Sequence, residues 1–192
     1  MRSIFILLAI FSLQPKSLLA APFLKGHYYT NEGKRVEGLM KFGRATFSAF
    51  GSKPSNIKFK ANAGSTAVKL TAEDISAFVI GKDSFAIVQN IKINSIQGEY
   101  KRDFAQVIEV GRINLFVHKS ASSDGQFSYD NDKFVLSRDN KVFLGIWNIN
   151  KQREEIAEYF SERPDLLAKI LDKKDETPIQ TIVKEFNKNA NP

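Results

Sequence analysis

The apolar pattern of this chain changes period once, near Trp147, and that change constrains the fold more than any other feature. From Gly26 to about Asn148, apolar and polar residues alternate in short runs bounded by Gly, Asn, Asp and Ser. A period of two is what a pleated strand with one buried face requires, and tight polar turns join such strands antiparallel. After Trp147 the apolar residues recur at three and four, as on a helix. Helices this short are marginal in water, so their apolar stripes must dock on the sheet. The expected architecture is mainly β with C-terminal helices (α+β): an antiparallel β barrel or sandwich of seven to nine strands, followed by two or three short helices packed on it.

The individual runs can be placed. "HYYTNEGKRVEGLMKF" reads as a hairpin turning at Asn31–Lys34, where Gly33 supplies the positive φ such turns need. In its second strand Val36, Gly38, Met40 and Phe42 share one face, and Glu37, Leu39 and Lys41 the other. Residues 43–56 are turn-rich and read as a loop. In "IKFKA" Ile57 and Phe59 face inward, and strand-like runs follow up to "KVFLGIW". Gly111 marks a turn or bulge. Beyond it Ile113, Leu115 and Val117 face one way, and Asn114, Phe116 and His118 the other. "SASSDGQ" and "DND" read as hairpin connections. In the helical part, Ile156, Ala157 and Phe160 form one stripe, and Leu166, Leu167, Ile170 and Leu171 a second. Ile179, Ile182, Val183 and Phe186 form a third. Ser161 and Thr177 are the expected caps, with Pro164 and Pro178 in the first turns.

Residues 1–21 differ from the rest. Arg2, an apolar segment from Ile4 to Leu13, Pro15 and the small residues Ala20 and Ala21 follow the order of a secretory signal peptide. The segment is too short to span a bilayer. The expected division is a signal peptide at 1–21, an antiparallel β domain at 22–148 and a helical segment at 149–192 packed on it. No transmembrane segment is expected after signal removal, and export places the protein in the periplasm or outside the cell. The chain has no cysteine, which rules out disulfides and thiolate chemistry, so the core alone must hold it together. Sixteen Phe residues supply rigid apolar bulk for that core. The net charge is +7, and loss of the leader would remove Arg2 and Lys16 from it. The basic residues are scattered, densest at Lys53–Lys60 and Lys169–Lys174, and read as a solvated surface rather than a nucleic-acid arm.

Chemistry-bearing motifs are sparse. His27 and His118 are the only histidines and lie far apart in sequence, so no metal-ligand spacing is present. There is no G-x-S-x-G elbow, phosphate-cradling glycine motif or complete calcium loop. Asp103 and Glu109 are the acids that stand out within strand-like runs, and Glu109 reads as solvent-facing. No catalytic, cofactor-binding or metal residue is assigned, and no cofactor is expected. Glu73 and Asp74 are adjacent acids, but Thr71 precedes Asp74 by three, the spacing of a capping box. Thr71, Glu73 and Asp74 are therefore expected to form a capped structural turn between two strands.

The order of several segments carries a resemblance. These are "YYTNEG" followed by "VEG", then "IKFK", "TAEDISAF", "VIEVGRINLF", "YFSERPDLLAKI" and "IQTIVKEFN". Together they resemble a family of exported β-rich proteins common in Bacteroidota, in which T-P-E-D-I-x-x-F and LSDCPxLxxKI-like segments recur. Arg163 stands where that family often has Cys. The resemblance implies export and one β-rich domain with C-terminal helices, and brings no catalytic residues. The functional expectation is a non-enzymatic binding or interaction module whose partner is an envelope protein or a glycan, and not nucleic acid. One alternative is a hydrolase of envelope polymers, which requires two facing carboxyl groups in a cleft. Another is an adaptor, which requires apolar surface left uncovered on the helices.

Overall fold

The structure is a computed structural model that describes residues 22–48, 51–92, 99–123 and 128–188. The expected signal peptide at 1–21 lies outside the described residues. The chain opens with the hairpin β1 (Leu24–Thr30) and β2 (Arg35–Gly43). Its turn is closed by the Gly33 N–H donating to Thr30 O at 2.9 Å, with Gly33 at φ 82°. Short strands β3 (Ala45–Ser48) and β4 (Gly51–Lys53) follow, then β5 (Asn56–Lys60) and β6 (Val68–Leu70). Next come β7 (Ile75–Ile80), β8 (Asp83–Lys92), β9 (Glu99–Glu109) and β10 (Asn114–His118). The last strands are β11 (Ser120–Ser123), β12 (Ser128–Asp130), β13 (Lys133–Ser137) and β14 (Leu144–Ile146). The helices are α1 (Arg153–Glu158), α2 (Pro164–Leu171) and α3 (Ile179–Lys188).

Ten strands form one antiparallel sheet in the order β14-β13-β10-β9-β8-β7-β1-β2-β5-β6. Four form a second sheet, β12-β11-β3-β4, in which β3 and β11 pair in parallel. The large sheet has two free ends, so the fold is an α+β sandwich and not a closed barrel. Residues 43–56, expected as a loop, contain the strands β3 and β4, and part of "SASSDGQ" is β11. These strands carry mostly small and polar residues; β3 and β11 are held extended by pairing with each other across distant chain, and β4 by its local pairing with β3. The chain turns from β2 into β3 at Arg44, whose guanidinium binds Asp132 at 2.7 Å and Asp130 at 3.1 Å.

The core has three parts. Under β1, β2, β5, β7 and β8, Met40, Ile57, Phe59, Ile75, Phe78, Phe85 and Phe104 pack together. Phe78 and Phe85 stack at 4.5 Å and Phe104 meets Phe78 edge-on at 4.9 Å, geometries worth about 0.5–1.5 kcal/mol a pair beyond burial. On the opposite face, Val88, Ile91, Ala105, Phe116 and Val135 meet Ala45 of the second sheet. At the β10–β13–β14 end the helices cover Ile113, Leu115, Leu136 and Ile146. All four stripe residues of α3 are buried there, as are Leu166 and Ile170 of α2.

Helix ends differ in detail from the expected caps. Arg163, not Ser161, is the N-cap of α2, with Pro164 opening the helix. Thr177 gives its N–H to the Asp175 carboxylate, and α3 starts after Pro178, whose carbonyl accepts from Thr181 and Ile182.

Candidate functional site

The corner at Thr71–Asp74 is a single turn between β6 and β7. The Asp74 carboxylate takes the Thr71 N–H and the Thr71 hydroxyl, both at 2.8 Å, and the Asp74 N–H donates to Thr71 O at 3.0 Å. The Thr71 N–H and hydroxyl hold the Asp74 carboxyl below the usual carboxylate range. Glu73 gives its carbonyl to the Asn31 amide at 2.9 Å, and Arg102 Nε donates to Ala72 O at 2.7 Å. Both acid side chains are exposed at a turn tied to the β1–β2 hairpin and to β9.

Asp103 and His118 meet in the interior. Val117 pairs with Gln106, which sets His118 opposite Ala105 and diagonal to Asp103 on the same face. That register depends on a bulge: Leu115 pairs with Glu109 but Phe116 with Val107, leaving Ile108 as the extra residue of β9. Without the bulge His118 would fall opposite Gln106, on the face that Asp103 does not share. Asp103 Oδ2 lies 2.8 Å from His118 Nε2, and both side chains have no solvent exposure. Asp103 Oδ1 accepts from the Ser55 hydroxyl, from the Ser55 N–H at 3.0 Å and from the Phe104 N–H at 2.8 Å. A carboxylate can only accept here, so the imidazole carries its proton on Nε2 and leaves Nδ1, which has no partner among the described residues. The Tyr100 ring lies 4.9 Å from the imidazole. Burial first, then the Asp103 charge, pushes its hydroxyl up to about 12 against the opposing effect of Ser52.

Ser, His and Asp are all present, yet the order is wrong for nucleophilic catalysis. In a catalytic triad the imidazole stands between serine and carboxylate and takes the serine proton. Here the carboxylate stands between them, and the Ser55 hydroxyl points at Asp103. With Ser55, Asp103 and His118 all fully buried, the group acts as a clamp that fastens the β4–β5 connection to β9 and β10.

The other sequence candidates stay apart. His27 is on β1, four strands from β10 across the sheet, and meets Tyr29 edge-on at 5.3 Å. Glu109 is six residues from Asp103 on one strand, about 20 Å at 3.4 Å per residue, beyond the span of a glycosidase carboxyl pair. Among the described residues no three His, Asp or Glu side chains converge as metal ligands. One hollow of about 200 Å³ has two acids in its lining, Asp139 and Glu158. Asp139 is occupied by its own turn, where the Val142 and Lys141 N–H groups lower its pKa.

A surface feature emerges only from the strand register. The face that the second sheet covers continues into the open: Ala105, Ala86, Ala77, Tyr29 and Arg35 are paired in turn across five strands. Ala105 is fully buried and Arg35 is exposed. Farther along this open half, Lys25, Leu39 and Lys60 form one cross-strand row. Lys41, Lys58 and Lys69 form the next. Directly opposed residues in neighbouring strands have Cβ atoms about 5 Å apart, and like charges so placed repel. No acid occurs in β5, β6 or the turn between them, and Glu37, on the same face of β2, is paired with Arg35 at 2.9 Å. Among the described residues none of the five lysines forms an ion pair, although Lys60 lies over the Phe23 ring at 5.1 Å. A hollow of about 470 Å³ adjoins this surface, lined by Lys25, Glu37, Leu39 and the 61–63 turn among others.

Edge protection explains part of this pattern, since β6 is the sheet edge and an edge lysine discourages strand addition. It explains Lys69 and leaves Lys41 and Lys58, which lie on inner strands. In sequence these residues look scattered. The available signal was that every outward position of β5 and β6 except Asn56 is lysine. No protein-family model, curated protein or solved structure matches this chain, so the site rests on its geometry alone.

Proposed function

We propose that this chain is a non-enzymatic binding module of the cell envelope that recognises an anionic partner on the open, lysine-bearing half of its large sheet. The observation that carries this reading is the row Lys41–Lys58–Lys69, three like charges placed directly opposite one another without an acid among them. Such a row weakens the fold and is relieved when an anion binds. The leader-like segment at 1–21 supports export, and export would place the surface among envelope polymers.

The alternatives receive less support. The adaptor reading needs uncovered apolar surface on the helices, and their stripes are buried save for Leu167, which is half-buried, and Leu171, which is 43% exposed. The hydrolase reading needs two acids facing each other across a cleft. Asp103 is sealed in the core, and Asp139 is committed to its turn. The test is to incubate the purified protein with fractionated envelope glycans and peptides, following retention and product formation together. Retention of an anionic component with no change in its size supports the module. Release of smaller products by the protein overturns it.

A further inference from the structure

We infer that the ligand of the basic face is a linear acidic polysaccharide, bound across strands β1, β2, β5 and β6 by repeating carboxylate or sulfate groups; this rests on the binding-module reading above. The arrangement of the charges carries the inference. The two lysine rows are separated by two residues along each strand, about 7 Å, and successive strands add about 4.8 Å across each row. The result is an array of repeated point charges on a rigid sheet, extending well beyond the one hollow that adjoins it at Lys25 and Glu37. A polymer with an acidic group on successive units meets such an array with several weak contacts at once, which multiply through effective concentration.

The chemistry of the side chains separates this ligand from other polyanions. Five of the six cations on this face are lysine, and the sixth, Arg35, is engaged by Glu37. Lysine is a compact charge that suits diffuse recognition of carboxylate, sulfate or phosphate alike, so what separates the polyanions is the rest of the face. Single-stranded nucleic acid also needs exposed ring faces for base stacking. The rings available, Phe23, His27 and Tyr29, are all half-buried; Lys60 lies over the first, and the other two stand nearly perpendicular to each other. A membrane surface needs apolar side chains that protrude among the charges. Here the large apolar members, Phe23, Leu39 and Val79, are half-buried within the sheet face. An acidic polysaccharide requires neither stacking nor insertion.

The experiment measures binding of the full-chain protein, purified from expressing cells, by titration calorimetry. The probes are polygalacturonate, heparin, neutral dextran, an oligothymidylate and vesicles of phosphatidylglycerol, each at several salt concentrations. Polygalacturonate or heparin should bind and dextran should not. In K41Q/K58Q/K69Q affinity should fall at least tenfold, and the slope of log affinity against log salt should flatten by about two. The same variant should melt a degree or two higher, by about the amount that relief of like-charge pairs provides, so lost binding is not lost folding. Tighter binding of the oligonucleotide or the vesicles overturns the inference, as does failure of every probe to bind. Unchanged affinity in the triple variant also overturns it, together with the lysine row as the recognition surface, and leaves only a non-enzymatic module that binds elsewhere. Shortening of the polymer during the titration overturns the module reading itself.

Discussion

At the scale of single residues, the buried clamp shows how sheet register turns ordinary residues into a structural unit. Asp103 is a buried carboxylate with four close donors, and such a group is costly to leave half-satisfied. Asp103→Ala strips partners from the Ser55 N–H and hydroxyl, the Phe104 N–H and His118. It should cost about 3 kcal/mol, read as a lower urea midpoint. Asp103→Asn keeps an acceptor for the backbone donors and should cost about half as much. Equal midpoints for wild type and Asp103→Ala would refute the clamp. Asp103 and His118 each stood out in the sequence, since an acid and a histidine inside apolar runs are unusual. Their meeting was not legible, because it hangs on the one extra residue at Ile108. Ser55 was hidden for another reason: its stretch reads as a loop, and its partner lies 48 residues away.

At the scale of elements, the helices are fastened by polar contacts as well as by their stripes. Asn187 of α3 accepts from the Ile113 N–H at 3.0 Å and donates to Ile113 O at 2.8 Å, pairing with the backbone of the turn before β10. A Cβ added to Gly111 would stand 2.4 Å from the Asn187 side chain. Asn187→Ala should therefore cost about 1–3 kcal/mol by leaving an Ile113 group unpaired. Gly111→Ala should act through the same contact by pushing Asn187 away. In the double variant the losses should fall clearly short of additive, and strict additivity in denaturation would show that the two sites are independent. The three apolar stripes were legible because a helix repeats within a few residues. The docking contacts were not, because they join positions 74 residues apart.

The start of α2 adds a dependence on pH. Arg163 binds Asp165 through two nitrogens, at 2.9 and 2.6 Å, and holds its carboxyl down at about 2. The unfolded carboxyl titrates near 3.9, so the folded value is the lower one. Stability from this pair is then complete above about pH 4 and is lost as pH falls toward 2. Both groups are solvent-accessible, so the effect is small and screened by salt. The difference in melting temperature between wild type and Asp165→Asn should be visible at pH 5 and vanish near pH 2. A difference that persists unchanged at pH 2 would assign the effect to something other than the charge.

At the scale of the whole molecule, one sheet face serves two purposes, covered by the second sheet along β8, β9, β10 and β13 and open along β1, β2, β5 and β6. The α+β class and the facing of β2 and β5 were legible from alternation alone. The ten-strand order was not, because short strands carry no label for their neighbours, and the lysine rows exist only once that order is set. Their like charges predict an inverted relation between stability and binding. Lys58→Glu places an acid between Lys41 and Lys69 and turns two repulsions into two attractions. It should raise stability by about 0.5–1 kcal/mol at low salt while weakening polyanion binding. Salt distinguishes this from an effect of shape or propensity. As salt rises to about 1 M and the Debye length shrinks to about 3 Å, screening should stabilise the wild type and weaken the variant's gain. The two unfolding midpoints should therefore converge, and a gap that stays constant with salt would show that the lysine row carries no electrostatic strain.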